Sequence, residues 1–223
     1  MNKSHGFSLI EMAFVLVIIT LLLGGLLVPF TTQVEQRRIV ETNKAMEEIK
    51  EALLGFAIAN GRLPCPDTTG DGIADVCPFG NTTTSGGNIP WVDLGVANAD
   101  AWGQHFQYRV SGAFTTAISL QPLTTGSGNG ILQVCTDSTC NAFLATNIVA
   151  VIYSSGKNGA VQPPSGADEL ENTTLPANSK FDRTFVSHVY VGPGAGTAEF
   201  DDLVTWLSPN ILFNRMVAAG KLP

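Results

Sequence analysis

One carboxylate, Glu11, stands at the mouth of an uncharged run that extends over residues 12–30. A charged side chain in hydrocarbon costs at least ~2.5 kcal/mol, so an acid in that place is a functional residue by default. Its chemistry is to attract a cation arriving in the same apolar layer. In low dielectric such an attraction is large, whereas each ion alone is costly.

A second group of oxygens lies in Asp67-Thr68-Thr69-Gly70-Asp71-Gly72-Ile73-Ala74-Asp75. Oxygens fall at positions one, three, five and nine, with glycine at six, as in part of a calcium loop. An EF-hand would need a bidentate Glu at twelve, and that place is Pro78, so this is no EF-hand. A shorter loop would use Asp67, Asp71, Asp75, the Thr69 hydroxyl and the Ile73 carbonyl to hold Ca2+. A solvated Asp/Gly turn has the same composition.

Cys65 and Cys77 bracket that loop, and Cys135 and Cys140 enclose a turn-like Thr-Asp-Ser-Thr. Four cysteines allow three pairings. The local one, Cys65–Cys77 with Cys135–Cys140, closes two short loops and is the pairing expected. Zinc is disfavoured, because no CxxC spacing occurs and no His lies close in sequence. Disulfides require an oxidising compartment, which puts this part of the chain outside the cytoplasm.

Other chemistries find little support. The net charge is −7 and no Lys/Arg cluster exceeds two adjacent residues, so no nucleic-acid partner is expected. His5 stands near the N-terminus, and His105 and His188 fall in expected strands. No nucleophile elbow, HExxH or phosphate-binding glycine pattern occurs, so no catalytic residue is assigned and the chain is not expected to be an enzyme. Trp91, Trp102 and Trp206 are expected in the core or at a sheet edge, with a sugar-stacking platform as the alternative.

The elements that must carry these groups follow from periodicity. A helix is expected over residues 7–59, about 80 Å long at ~1.5 Å per residue. Pro29 should kink it and Gly24-Gly25 weaken it. Ile39, Met46, Ile49, Leu53 and Phe56 form an apolar stripe that should dock on a sheet. Asn60-Gly61 and Pro64 end the helix. Strands are expected over 104–110, 114–120, 130–135, 147–154 and 184–191, and the Gly/Thr/Ser/Asn clusters at 82–88 and 124–129 read as loops. Residues 148–153 are continuously apolar and should be central. A last helix begins at Ser208-Pro209 and stops at Gly220.

Gly6-Phe7 before the apolar run, with glutamate at the fifth place counted from Phe7, resembles the processing site of type IV prepilins and type II secretion pseudopilins. In that family a prepilin peptidase cuts after the glycine and methylates the new N-terminus. Carried over, the cut falls between Gly6 and Phe7, and Glu11 is the assembly residue. Asp100-Ala101-Trp102-Gly103 ahead of Tyr108 is similar to a D-x-W-G…Y segment of major pseudopilins. The segments around Pro64-Cys65-Pro66, Ile89-Pro90-Trp91, Ser155-Gly156-Lys157-Asn158-Gly159 and Phe200-Asp201-Asp202 resemble proteins classed by a prepilin-type N-terminus. Major pseudopilins hold calcium in a loop near the C-terminal end, but the counterpart around Asp168, Glu169 and Glu171 lacks a matching motif.

The resemblance implies an α+β, pilin-like fold: a long N-terminal helix, half membrane and half amphipathic, on a small antiparallel sheet, with a short C-terminal helix. It divides the chain into a leader (1–6), a transmembrane and assembly segment (7–30), an amphipathic continuation (31–60) and an extracytoplasmic β-rich domain (61–223). The implied protein is a subunit, minor rather than major, of a type IV pilus or type II secretion pseudopilus. Its partners would be prepilin peptidase, other pilin or pseudopilin subunits and inner-membrane lipid, with the globular domain in the periplasm. Arg37 and Arg38 outnumber Lys3, which opposes that topology weakly. The alternative is a membrane-tethered periplasmic binding module or adhesin that uses prepilin-type processing for placement. An ordinary secretory signal would need a small-x-small site after a shorter apolar run. A plain signal anchor would need neither Gly6-Phe7 nor Glu11.

Overall fold

The computed structural model describes residues 8–77, 84–118, 130–159, 166–173, 183–192 and 199–222, with the backbone alone for residues 23–31. Helix α1 spans Leu9–Asn60, 52 residues, and is helical without a break through Gly24, Gly25 and Pro29. It ends where expected. Gly61 adopts φ +69°, its N–H donates to the Ala57 carbonyl at 2.8 Å, and Pro64 follows. The chain divides into two units, Met1–Val40 and Glu41–Pro223.

In the first unit the described apolar side chains of α1 face outward: Leu9, Ile10, Phe14, Leu16, Leu21 and Leu22 are all more than 60 % exposed. In the second unit the helix is amphipathic. Thr42, Met46, Ile49, Leu53, Leu54 and Ala57 are buried at spacings of three and four, while Glu47, Glu48 and Glu51 stay in solvent.

The remaining elements all belong to the second unit. They are β1 (Thr84–Asn88), α2 (Trp91–Leu94), β2 (Gln107–Ser111), a 3₁₀ turn (Gly112–Phe114), β3 (Leu132–Cys135), β4 (Phe143–Ile148), β5 (Ala150–Ser154), α3 (Ala167–Asn172), β6 (Thr184–Val186), β7 (Leu203–Leu207) and α4 (Pro209–Ala218). One sheet has the order β1-β2-β5-β7 and is antiparallel throughout. A second has the order β4-β3-β6, in which β3 and β6 run parallel.

Strand β5 is buried on both faces, which is why its sequence is continuously apolar. Ala150 and Ile152 join Met46, Ile49, Leu53, Tyr108, Leu212 and Met216 in one cluster. Val151 and Tyr153 join Leu132, Val134 and Phe185 in the other. The first sheet thus lies between helices α1 and α4 on one side and the second sheet on the other.

Five expectations are corrected. The single small antiparallel sheet is two sheets, one of them mixed. Residues 84–88 form strand β1 rather than a loop, since its glycines allow close packing. A Cβ on Gly86 would meet the Arg109 guanidinium at 2.6 Å, and one on Gly87 the Asp67 carbonyl oxygen at 2.5 Å. The strand expected over 114–120 is absent from its described part, because this segment bonds to the chain leaving α1 (Leu63 N–H to Phe114 O, 2.7 Å; Ile118 N–H to Gly61 O, 2.8 Å). Residues 119–129 lie outside the described set. The strand expected over 147–154 is the end of β4, a bend at Val149 and β5, with Asn147 at φ +57° where the chain passes between the sheets. The strand from residue 184 stops at Val186.

Candidate functional site

The start of α1 is built by its own side chains. Ser8 lies one residue before the helix, and its Oγ accepts the Glu11 backbone N–H at 3.3 Å. The Ser8 N–H donates to Glu11 Oε2 at 3.4 Å. This reciprocal S-x-x-E arrangement is a capping box, which satisfies two backbone donors that a helix start leaves without partners. It folds the Glu11 carboxylate back toward the beginning of the chain. Gly6 and Phe7 lie outside the described residues. Among the described residues no helix is long and apolar enough to cross a membrane. The apolar run of residues 12–30 continues into 23–31, whose side chains are outside that set.

The two disulfides are Cys65–Cys77 and Cys135–Cys140, with Cα atoms 5.6 and 5.1 Å apart. Inside the first, the acidic residues turn inward on the loop itself. Asp67 is fully buried; its Oδ1 accepts from the N–H groups of Thr69 (3.0 Å) and Gly70 (2.6 Å), and its Oδ2 from Gly72 (2.9 Å). Burial pushes this carboxyl up, but the amides of Gly70, Gly72 and Thr69 outweigh it and hold it below the ordinary value. Asp75 Oδ2 accepts from the hydroxyl and N–H of Thr68, which hold its carboxyl low, and from the Thr69 N–H. Asp71 Oδ1 takes the Ile73 N–H. Asp67, Asp71, Asp75, Thr69 and Ile73 are therefore brought together as a self-capped turn. Among the described residues, they are not the acids that converge on one point.

That point lies elsewhere. Glu169 on α3 and Asp201 and Asp202 just before β7 are all buried, and each offers an oxygen within 4.8 Å of the others. The turn after β5 closes over them: Asp201 Oδ2 accepts from the N–H groups of Lys157 and Asn158, both at 3.0 Å. The Asn158 amide donates to both Glu169 oxygens at 3.0 Å, and Glu169 Oε1 also takes the Asp201 N–H at 2.9 Å. Gly156, at φ +58°, permits the approach, because a Cβ there would lie 2.6 Å from Asp201 Oδ1. On the other side Asn172 donates to Asp202 Oδ2 at 2.8 Å and pairs with the Val186 backbone, tying the acids to β6.

The electrostatics of this cluster are unfavourable to charge. Burial, with Glu169 adding repulsion against the amides of Asn158 and Lys157, pushes the Asp201 carboxyl up to about 7. Burial drives Asp202 well above the carboxylate range, with Glu169 and Asp201 adding to it. Asp201 Oδ1 has no hydrogen-bond partner among the described residues. Chemically the group takes up protons, or its hard oxygens could hold a divalent cation. The sequence held a signal for it: two adjacent acids directly before the alternating Leu203-Val204-Thr205-Trp206-Leu207. The partner acid on α3 is more than thirty residues away, so spacing alone could not join them.

The two described histidines, His105 and His188, make structural contacts. His105 stacks on Trp91 with centroids 5.2 Å apart, and its Nδ1 faces the Asn98 carbonyl at 3.1 Å. His188 stacks on Phe200 at 3.8 Å, and its Nε2 lies 3.2 Å from Asp168 Oδ2. Asp100, ahead of the Trp102-Gly103 pair, caps its own turn through the N–H groups of Trp102 and Gln104, both at 2.9 Å, and accepts the Ser154 hydroxyl at 2.5 Å.

No curated protein and no solved structure matches the chain. Residues 1–27 match the prokaryotic N-terminal methylation motif, and the chain thus carries the prepilin-type cleavage and methylation signal, which implies processing of the pilin and pseudopilin kind.

Proposed function

We propose that this chain is a structural subunit, of the minor type, of a type IV pilus or type II secretion pseudopilus. Prepilin peptidase cuts it after Gly6 and methylates Phe7. Residues 12–30 hold the mature chain in the bacterial inner membrane as a single pass, with the globular unit in the periplasm. The helix then moves into a filament, where Glu11 meets the N-terminal ammonium of a neighbouring subunit. The observation that carries this reading is the methylation motif over residues 1–27. The outward-facing apolar side chains of the first unit of α1 and the two disulfides of the second support it.

The test is the mass of the full-length chain after co-expression with a prepilin peptidase. A mature form beginning at Phe7, heavier by one methyl group, is expected, and Gly6→Val should abolish it. Cleavage of Gly6→Val at the wild-type rate, or a mature start beyond residue 30, would overturn the reading.

A further inference from the structure

Glu169, Asp201 and Asp202 bring three carboxyl groups into one buried place; they are 1, 5 and 6 % exposed. The donors that meet them are neutral amides. Asp201 Oδ2 takes the N–H groups of Lys157 and Asn158, Glu169 takes the Asn158 side chain and the Asp201 N–H, and Asp202 Oδ2 takes the Asn172 side chain. Such dipoles orient the carboxyl groups but do not cancel their charge, and buried charge without a counter-ion is costly.

Two observations point to what answers it. Asp201 Oδ1 is buried and has no hydrogen-bond partner among the described residues. A buried oxygen left in that way is uncommon and calls for an ion or a water. The backbone also keeps room beside this atom. Gly156 sits at φ +58°, and a Cβ there would stand 2.6 Å from Oδ1, so any other residue would fill the approach. The oxygens that the three acids offer lie within 4.8 Å of one another. Calcium holds its oxygens at ~2.3–2.6 Å, so two ligands of one ion can lie up to ~4.8 Å apart, whereas the shorter bonds of magnesium, ~2.0–2.1 Å, demand a tighter set. The turn of residues 67–75 is the contrast, since both oxygens of Asp67 are taken by its own amides.

We propose that Glu169, Asp201 and Asp202 form a site for one hard divalent cation of the size of calcium, with Asp201 Oδ1 as the ligand that has no other partner. The ligands come from α3 and from the entry to β7, under the turn that follows β5, so the bound ion ties together three segments separate in sequence.

The experiment is equilibrium dialysis of calcium against the full-length chain in detergent, stripped with EDTA and held at pH 8. Glu169→Gln, Asp202→Asn and Asp71→Asn are compared with wild type. Each variant is first checked for both disulfides and a cooperative melt at pH 5 without calcium, where protons neutralise the acids. Wild type should take up one calcium per chain, saturably, and magnesium more weakly. Glu169→Gln and Asp202→Asn should each weaken the uptake at least tenfold, while Asp71→Asn, in the 67–75 turn, should leave it unchanged. The wild-type measurement is decisive even where a variant does not fold: no saturable uptake by millimolar calcium would overturn the proposal. Uptake lost in Asp71→Asn and kept in Glu169→Gln, or wild-type affinity in both Glu169→Gln and Asp202→Asn, would overturn it as well.

Discussion

Three acids in one buried site need something to neutralise them. Asp201 carries its proton up to about pH 7 in the folded chain, against ~3.9 when unfolded. A carboxyl raised in this way contributes stability that is complete below the unfolded value and lost as pH climbs through the folded one. The full chain should therefore melt at progressively lower temperature between about pH 4 and pH 7, with a slope of up to ~1.4 kcal/mol per pH unit for one proton. Asp67, Asp75 and Asp168 are held low, so their contributions are lost as pH falls below about 4, outside that window. Asp202 is raised as well and adds its own share to the fall, so Asp201→Asn should make the slope shallower by one proton's worth without removing it; melts of the variant that still track the wild type from pH 4 to 7 would refute the assignment. A hard divalent cation would do at pH 8 what protons do at pH 5. Melts at pH 8 in EDTA and in millimolar calcium should then differ, with calcium the more stable, by ~2.7 kcal/mol at a hundredfold excess over its dissociation constant. Superimposable curves would leave the cluster to protons alone.

At the scale of elements, α1, α4 and strands β2, β3, β5 and β6 were legible, whereas α2, α3, β1, β4 and β7 were not. The end of α1 is written in Asn60-Gly61 and Pro64, and its docking face in the spacing of Met46, Ile49 and Leu53. Helix α4 begins on Ser208, whose Oγ accepts the Ile211 N–H, with Pro209 in the first turn. Ser208→Ala should cost ~1 kcal/mol, the usual value of a lost N-cap, and a chemical denaturation midpoint unchanged within error would show that the cap is idle. Strand β1, Thr-Ser-Gly-Gly-Asn, could not be read in this way, since nothing in its side chains alternates. It is a strand because two glycines let it lie against Arg109 and the Asp67 backbone, partners that are distant in sequence. The β4–β5 break at Val149 was hidden for the opposite reason. Apolar residues continue across it, because the chain leaves one buried sheet for another. The acid cluster failed for the same reason as β1, its members lying on elements whose meeting only the topology decides. The Ser8–Glu11 capping box is local, three residues apart, yet it was not among the expectations drawn from the sequence.

For the molecule as a whole, the division into units at residue 40 does not coincide with any break in α1. The helix is one element, but its residues answer to two environments. Up to Val40 its described apolar side chains face outward, apart from the half-buried Ile39. From Glu41 on, Met46, Ile49, Leu53, Leu54 and Ala57 are core residues of the globular unit, in the same cluster as Phe106, Tyr108 and Ile152. The sheet face they cover would otherwise meet water along β2 and β5, and each such side chain is worth ~1.5–3 kcal/mol when buried. No cysteine belongs to that cluster, so the disulfides cannot replace the helix there. A fragment beginning at residue 41 should therefore be soluble and melt cooperatively, with both disulfides formed. A fragment beginning at residue 61, which keeps every described strand and both disulfides, should lose the cooperative transition or associate through the uncovered face. Within the longer fragment, Leu53→Ala should cost ~2–5 kcal/mol, the range for emptying a buried leucine site. If the fragment from residue 61 melts as sharply and at the same temperature as the one from 41, the last third of α1 is an attachment to the globular unit rather than part of its core.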